Sequence, residues 1–445
     1  MKVAVVGTGY VGLVSGACFA ELGQDVTCID NDTNKICQLK NGKIPIFEPG
    51  LKELVDKNVQ CGCLHFSEDR ASAVRNADIV FIAVGTPTRV GGREADLSYV
   101  FGAAQELARE IKEGAVVVTK STVPVGTTRR VYDVIRSETQ TRFHTVSNPE
   151  FLREGAAIAD FMHPDRIVVG SASDEARSVM QTLYAPLVAQ GASLFLTHIE
   201  TAELIKYASN TFLAMKIAFI NQIADISEAC GADVAQVAQA MGLDTRIGPA
   251  FFEAGPGFGG SCFPKDTRAL AAFAHERGVP VPLIDAIDTF NEARKRSMAG
   301  RVIQACGGSV HGKQFAILGA TFKANTDDMR ESASLALVPA LREAGAQLRA
   351  FDPGVRLASL AAFDGVEEAS DALAACSGAD AAIIVTEWDI FKNLPLEELG
   401  KKMRKRLLID FRNLYEPAVV AKAGFSYISL GRPAAHPEEK MANSA

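Results

Sequence analysis

The segment Gly255–Asp266, which reads GPGFGGSCFPKD, carries residue types suited to covalent chemistry on a bound ligand. Its four glycines let the backbone approach a ligand and turn its amides inward. Cys262 stands just before a helix-like run, 267–277, and close to Lys265. A cysteine in that setting is expected to have a lowered pKa and to react as a thiolate. A buried, inert cysteine is the alternative, so the rest of the chain has to decide between the two.

A dinucleotide-binding fingerprint opens the chain. Gly7, Gly9 and Gly12 form a GxGxxG motif directly after the apolar strand Val3–Val6, and a second predicted strand ends at Asp30. The glycines allow a tight turn and close approach of a pyrophosphate to a helix N-terminus. The acid would bond a ribose 2′-hydroxyl and repel a 2′-phosphate. The sequence therefore predicts an NAD site.

Further strands alternate with helical stretches along the first half of the chain. Continuous apolar strands of this kind are typical of parallel sheets buried on both faces. Thr, Ser, Asn and Glu follow several of them, at the strand ends where open α/β sheets bind ligands. The predicted strands span residues 26–29, 78–84, 115–119, 144–147, 166–169 and 194–196.

A long helical pattern without Gly or Pro runs from Glu200 to about Cys230. It is too long for a crossover, and indicates a connecting helix with a small helical middle domain. Lys206 and Asn210 are four residues apart and therefore share one face of it. Strand–helix alternation resumes at Lys313, without a second GxGxxG, which indicates a different ligand there.

The predicted fold class is α/β, with two Rossmann-like doubly wound domains joined by the long helix and the helical middle domain. Its expected parts are an NAD-binding domain at 1–199, a helical linker domain at 200–300, a second Rossmann-like domain at 301–432 and a disordered tail at 433–445.

Composition excludes several classes of protein. The 445 residues are 48% hydrophobic and 22% charged, as in globular proteins, and no apolar run is long enough for a membrane span. A net charge of −7 argues against nucleic acid or anionic membrane as partners. The nine cysteines follow no disulfide pattern, and Cys61-Gly62-Cys63 is too closely spaced for a zinc pair. We therefore expect no metal and a cytoplasmic location.

Seven motifs together extend these predictions: GTGYVGL, VGTPT, KSTVPVGT, NPEFLREG, KYASN, GFGGSCFPKD and TFKANTDDMRES. In this order, from Met1 to about Tyr415, the chain resembles the UDP-glucose 6-dehydrogenase family of nucleotide-sugar dehydrogenases. The resemblance implies a homodimer and a C-terminal domain that holds the UDP moiety. It also implies that UDP-glucose is oxidised twice at C6, with two equivalents of NAD, through a thiohemiacetal and a thioester on a cysteine.

The resemblance also implies roles for individual residues. Cys262 would be the nucleophile, and Lys206 and Asn210 would stabilise the oxyanion, with Lys206 also moving a proton. Asp266, with an ordered water, would be the base of the alcohol step. Two more residues would position and activate the water that cleaves the thioester: Thr122 and Glu150.

Binding residues follow from the resemblance in the same way. The positions that match the NAD site are Gly7, Gly9, Tyr10, Val11, Gly12, Asp30, Lys35, Thr86, Thr122, Glu154, Lys265 and Arg330. Those that match the UDP-sugar site are Phe151, Leu152, Arg153, Glu154, Lys206, Asn210, Arg246, Phe252, Glu253, Gly257, Phe258, Gly259, Phe322, Lys323 and Arg412. Lys35 departs from the pattern, because many family members have arginine there.

Four other functions stay open. GDP-mannose 6-dehydrogenases share the GGSC and PKD elements, whereas UDP-N-acetylhexosamine dehydrogenases usually carry GGHC, against which Ser261 speaks. A single-step hydroxyacid dehydrogenase would not need Cys262. A non-catalytic sugar-nucleotide binder would have no use for a thiolate.

Overall fold

The fold is described from a computed structural model, for residues 1–89 and 91–437. The chain forms two compact units. The first comprises Met1–Ser209 and Arg268–Pro280, and the second comprises Asn210–Thr267 and the chain from Val281 onward. Two helices therefore belong partly to each unit. One of them passes from the first unit to the second between Ser209 and Asn210.

The first unit is built on an eight-stranded sheet in the order β3-β2-β1-β4-β5-β6-β7-β8. All neighbours are parallel except β6 and β7. The central strands β4 and β5 are buried along their whole length, as expected for apolar strands covered on both faces. The strands are β1 Lys2–Val6, β2 Asp25–Ile29, β3 Leu64–Ser67, β4 Ile79–Ile82, β5 Ala115–Thr119, β6 Phe143–Ser147, β7 Arg166–Gly170 and β8 Ser193–Thr197.

Helices cover both faces of this sheet, and two separate apolar clusters pack against it. The helices are α1 Tyr10–Glu21, α2 Thr33–Lys40, α3 Leu51–Gln60, α4 Arg70–Asn76, α5 Ser98–Ala108, α6 Thr127–Glu138, α7 Ala157–Met162 and α8 Asp174–Ala189. Next comes α9, Ile199–Cys230, whose 32 residues confirm the long helix predicted from its periodicity.

The second unit contains a six-stranded parallel sheet in the order β11-β10-β9-β12-β13-β14. Its strands are β9 Gln314–Leu318, β10 Gln347–Phe351, β11 Glu367–Glu368, β12 Ala381–Ile384, β13 Leu407–Asp410 and β14 Ser426–Ser429. The remaining helices are α10 Val234–Gly242, α11 Phe263–Glu276, α12 Pro282–Ala305, α13 Ser334–Glu343, α14 Ala372–Cys376, α15 Asp389–Lys392, α16 Leu396–Lys402 and α17 Pro417–Lys422. Two short 3-10 turns lie at Leu357–Ser359 and Ala361–Phe363.

The two doubly wound sheets confirm the predicted fold class. Strand β3, at one edge of the first sheet, was not predicted, because its sequence, LHFS, is short and half polar. Within the predicted tail, 433–445, Ala435 exchanges two backbone hydrogen bonds with Tyr427, and residues 438–445 lie outside the described residues. No helix of the described chain is long and apolar enough to cross a membrane.

Candidate active site

The glycine turn after β1 has the geometry that a dinucleotide needs. Gly7 has a φ of +101°, and a side chain on Gly12 would lie 1.9 Å from the carbonyl oxygen of Gly7. Both positions therefore require glycine. Gly9 differs, because nothing lies within 4 Å of where its Cβ would be. No side chain caps the N-terminus of α1, so its amides remain available to phosphate oxygens.

Asp30 is held beside this turn by three hydrogen bonds. Its Oδ2 accepts from the Thr8 amide at 2.7 Å and from the Thr8 hydroxyl at 2.8 Å, and its Oδ1 accepts from the Asp32 amide at 2.9 Å. Burial acts to raise the pKa of Asp30, but these bonds and the charge of Lys35 outweigh burial and hold the pKa below its ordinary value. The carboxylate is therefore ionised at neutral pH, as a ribose diol requires.

A buried ion pair lies at the strand ends of the first unit. Glu150 follows β6, and its Oε1 lies 3.2 Å from the Nζ of Lys206 on α9. The other oxygen of Glu150 accepts from the Leu152 amide at 2.5 Å. The Phe151 ring lies 5.2 Å from the Lys206 Nζ and 3.9 Å from the guanidinium of Arg166. Three predicted site residues, Glu150, Phe151 and Lys206, are thus brought together.

Lys120 is a charged residue near this pair that sequence reasoning did not select. It directly follows β5, is 3% exposed, and donates to the side-chain oxygen of Asn148 at 3.3 Å. Burial lowers its pKa to about 8; the charge of Glu150 opposes that effect and the charge of Lys206 adds to it. The KSTVPVGT motif contained Lys120, but no property of the sequence distinguished it from a surface lysine.

Thr86 and Thr122 lie on neighbouring strand-end segments of the same unit. The Thr86 hydroxyl donates to the Thr122 carbonyl oxygen at 2.9 Å. Tyr10, at the start of α1, donates to Glu48, and its hydroxyl accepts from the Gly155 amide at 2.9 Å. Its phenol is therefore engaged with the chain itself.

In the second unit, Cys262 directly precedes α11 and is half-buried. Its carbonyl oxygen accepts from the amide of Asp266, one turn into the helix, at 2.8 Å. The Asp266 carboxylate is 1% exposed and receives two donors, the side-chain amide of Asn210 at 2.6 Å and the Nζ of Lys265 at 2.5 Å. The side chains of the predicted base and of the oxyanion-stabilising amide are thus hydrogen-bonded to each other, and the predicted nucleophile lies one helical turn before the base. Lys265 points its charge at this carboxylate.

The glycines before Cys262 have a packing role that the sequence did not reveal. A side chain on Gly259 would lie 2.5 Å from the Glu331 carbonyl oxygen, and one on Gly260 would lie 2.7 Å from the Phe322 ring. The amide of Phe258 donates to the side-chain oxygen of Asn291 at 2.8 Å. Contacts within the second unit therefore fix the position of the glycine loop before Cys262.

The basic residues predicted for the substrate site (Arg153, Arg246, Lys323 and Arg412) and, for the NAD site, Arg330 fall into two groups. Arg412 is half-buried and donates to the carbonyl oxygens of Val385 and Phe322, both at 2.7 Å. The Lys323 Nζ lies 5.5 Å from the Phe322 ring. The other group is exposed and forms ion pairs with nearby carboxylates: Arg246 with Asp244, Arg153 with Asp160 and Arg330 with Asp328.

The remaining predicted positions occupy different depths. Phe252 is buried, with the Nζ of Lys216 4.2 Å from its ring centroid. Glu253 is exposed, Glu154 is half-buried, and Val11 lies in the first turn of α1. The nine cysteines all lie within the described residues, and no two of them form a disulfide.

A doubly wound sheet with a dinucleotide turn, together with a cysteine held beside a buried acid and amide, defines a dinucleotide-dependent oxidoreductase. The chain belongs to the UDP-glucose/GDP-mannose dehydrogenase family. The NAD binding domain of that family matches residues 1–188, its central domain matches residues 200–293, and its UDP binding domain matches residues 316–417.

Named relatives extend over nearly the whole chain. A UDP-glucose 6-dehydrogenase of Rhizobium meliloti (strain 1021) is 52% identical over 97% of this chain and 100% of its own length. A UDP-glucose dehydrogenase structure from Pyrobaculum islandicum is 37% identical, with a TM-score of 0.85 over 92% of this chain and 94% of its own. A UDP-D-ManNAc dehydrogenase structure from Pyrococcus horikoshii has the same TM-score, 0.85, at 29% identity over 97% and 99%. The fold alone therefore does not identify the sugar.

Proposed function

We propose that this protein oxidises UDP-glucose at C6 to UDP-glucuronate with two equivalents of NAD. The observation that carries the proposal is the Cys262–Asp266–Asn210 group at the start of α11, because an alcohol can reach the acid level only through an intermediate that can lose a second hydride. The relatives named UDP-glucose 6-dehydrogenase, at up to 52% identity, support the choice of sugar.

NAD, held by the turn Gly7–Gly12 with its ribose on Asp30, would accept a hydride in each oxidation. Three residues of this chain take part in the first oxidation. Asp266 takes the proton of the C6 hydroxyl through a water. Asn210 and Lys206 stabilise the negative charge that develops on the oxygen.

The thiol of Cys262 makes the second oxidation possible. Its sulfur adds to the aldehyde carbon, and the oxygen gains a proton, which gives a thiohemiacetal with one C–H bond to lose. Loss of that hydride and of the hydroxyl proton gives a thioester. Water then attacks the carbonyl carbon, the C–S bond breaks, and the thiol and a carboxylate are released. Glu150 and Thr122 position and activate this water. One alcohol, two NAD and one water thus give one carboxylate, two NADH and three protons.

We further propose a cytoplasmic homodimer that forms through the helical middle part of the chain. Phe212, Phe219 and Ile226 lie seven residues apart on α9 and are 57%, 45% and 59% exposed. Apolar residues at that spacing form one stripe along a helix and fit a second copy of it. Phe219→Glu should shift the mass in multi-angle light scattering from dimer to monomer. A wild-type monomer would refute the interface.

The central experiment counts NADH. Wild-type protein with limiting UDP-glucose should form two NADH for each sugar nucleotide consumed, and Cys262→Ser should form at most a stalled species. Cys306→Ser is a matched control, because Cys306 is also half-buried and forms no disulfide. One NADH per sugar, or full turnover by Cys262→Ser, would overturn the covalent route. A higher kcat/KM for GDP-mannose or a UDP-N-acetylhexosamine would overturn the choice of substrate.

A further inference from the structure

Glu203 is a buried carboxylate to which neither the motifs nor the proposed mechanism gives a role. It lies on α9, three residues before Lys206, and is 1% exposed. Its Oε2 accepts from the Gly126 amide at 2.6 Å, and its Oε1 accepts from the Thr128 amide at 2.8 Å. Burial raises the pKa of Glu203, while the amide hydrogen bonds from Thr128 and Gly126 act in the opposite direction. Burying a carboxylate is unfavourable unless hydrogen bonds compensate it, so the two amides are the contacts that stabilise Glu203 at this position.

The two amides are the first donors of helix α6. Gly126 is the N-cap residue, has a φ of +93°, and offers no side chain to cap the helix. Free amides at a helix start are normally satisfied by the side chain of the cap residue itself. Here, a carboxylate from a different helix supplies both bonds, and it also interacts favourably with the positive end of the helix dipole. Glu203 therefore attaches the start of α6 to α9.

The attached segment is the one that carries Thr122. Residues 120–126 connect β5 to α6, and their first part is fixed by the Ser121 hydroxyl, which donates to the Val84 carbonyl oxygen at 2.7 Å. The bonds from Gly126 and Thr128 to Glu203 fix the other end. On α9, Lys206 follows one helical turn after Glu203 and pairs with Glu150 at 3.2 Å.

We propose that Glu203 is a positioning residue for hydrolysis of the enzyme-bound acyl group. It fixes the position of the Thr122 segment relative to the Lys206–Glu150 pair. A water held between Thr122 and Glu150 is then placed to attack the carbonyl carbon of the thioester. This inference rests on the proposed function, because it concerns the water step of that reaction. Misplacement by about 1 Å lowers the rate of a positioned reaction by roughly a hundredfold.

Glu203→Gln is the diagnostic variant, because it keeps the shape and replaces one acceptor oxygen by a donor. One of the two backbone amides then faces an NH₂ group and loses its bond. Glu200→Gln is the matched control. Glu200 lies three residues earlier on α9 and forms an ion pair with Arg129 of α6, so its loss weakens the same helix contact without touching the two amides.

Acid-quenched time courses that run from the first turnover into the steady state, with UDP-glucose and NAD in excess over enzyme, would separate the steps. Glu203→Gln should release two NADH per site in a burst, followed by a steady state roughly 10–100-fold slower than wild type. Mass spectrometry of the Cys262 peptide should then detect the acyl adduct in Glu203→Gln, but not in wild type or Glu200→Gln. The burst amplitude per site should stay at the wild-type level, whereas a partly unfolded variant would show a smaller burst.

Each outcome decides one point. Wild type without two NADH per sugar would refute the proposed function itself. Wild type with two NADH, but Glu203→Gln with an unchanged rate and no adduct, would overturn the role of Glu203 alone. If Glu203→Gln does not fold, Gly126→Ala tests the same contact from the other side, because alanine is strained at a φ of +93° and meets nothing within 4 Å. A folded Gly126→Ala without adduct would equally overturn the proposal.

Discussion

Lys120→Met should make this protein more stable at neutral pH, although it removes a hydrogen bond. Lys120 is 3% exposed, and its Nζ lies 5.9 Å from the ring centroids of both Phe81 and Phe161. Burial lowers its pKa from 10.5 to about 8. Methionine has a similar length and fits aromatic surroundings well. The side-chain oxygen of Asn148 would still accept a hydrogen bond from the Tyr184 hydroxyl at 2.6 Å, so the substitution leaves no buried oxygen unsatisfied.

The sign follows from the protons bound in each state. Between about pH 8 and 10.5 the unfolded chain binds more protons at this lysine than the folded chain, so the free energy of unfolding rises with pH across that window. Below it, the folded state carries the full penalty of about 3 kcal/mol, at about 1.4 kcal/mol per pH unit. The lost hydrogen bond offsets about 1 kcal/mol. Lys120→Met should therefore gain about 2 kcal/mol at pH 7 and lose about 1 kcal/mol above pH 10.5.

Thermal melts of wild type and variant at several pH values would measure this difference, since other groups titrate equally in both. At roughly 2–4 °C per kcal/mol, Tm should rise by about 4–8 °C at pH 7, and the gain should vanish as pH approaches 10. Lys43→Met is the control, because Lys43 is exposed in the same unit, and its Tm difference should be near zero at every pH. A Lys120→Met difference that is negative at pH 7, or independent of pH, would refute the reasoning.

Three further predictions concern residues of the NAD turn, the ribose contact and the catalytic group. Gly12→Ala should destabilise the fold by about 3 kcal/mol, because its Cβ would lie 1.9 Å from the Gly7 oxygen, whereas Gly9→Ala should leave Tm nearly unchanged and raise the KM for NAD. Asp30→Ser should lower kcat/KM for NAD by roughly tenfold or more, and should reduce the ratio of kcat/KM for NAD to kcat/KM for NADP. An unchanged ratio in steady-state assays would contradict the contact between Asp30 and the ribose. Asn210→Ala should lower kcat on the order of a hundredfold, because Asp266 loses a 2.6 Å donor, and a wild-type kcat would exclude Asn210 from the reaction.

Local patterns predicted most of the fold. The central strands of both sheets are continuous apolar runs, which burial on both faces demands, and the predicted strand at 115–119 has the same bounds as β5. Helix α9 lacks Gly and Pro over its whole length, so its periodicity was visible. Cys262 was expected beside a helix N-terminus, and the structure starts α11 at the next residue.

Contacts between distant parts of the chain explain what the sequence did not reveal. Glu203 acts on amides about 75 residues away, and Lys120 is buried by aromatic rings from two other elements. Neither relation produces a local pattern, and both residues resemble ordinary surface charges when read along the chain. The bond from the Nζ of Lys265 to Asp266, the residue next to it, was not predicted either.

Lys120 lies at one end of the segment 120–128 and Glu203 binds the other end, and both are buried charges whose removal from water is unfavourable. Glu203 is compensated by two backbone amides, whereas the hydrogen bond from Lys120 to Asn148 has a neutral acceptor. A buried ammonium next to the Lys206–Glu150 pair makes a second positive charge on Lys206 less favourable, because two like charges that interact each lower the proton affinity of the other. In the role that the resemblance implies for Lys206, which includes moving a proton, lysine at position 120 would favour release of that proton. The more stable Lys120→Met should therefore be the slower enzyme, with the pH dependence of kcat displaced to higher pH, as expected where stability has been given up for function.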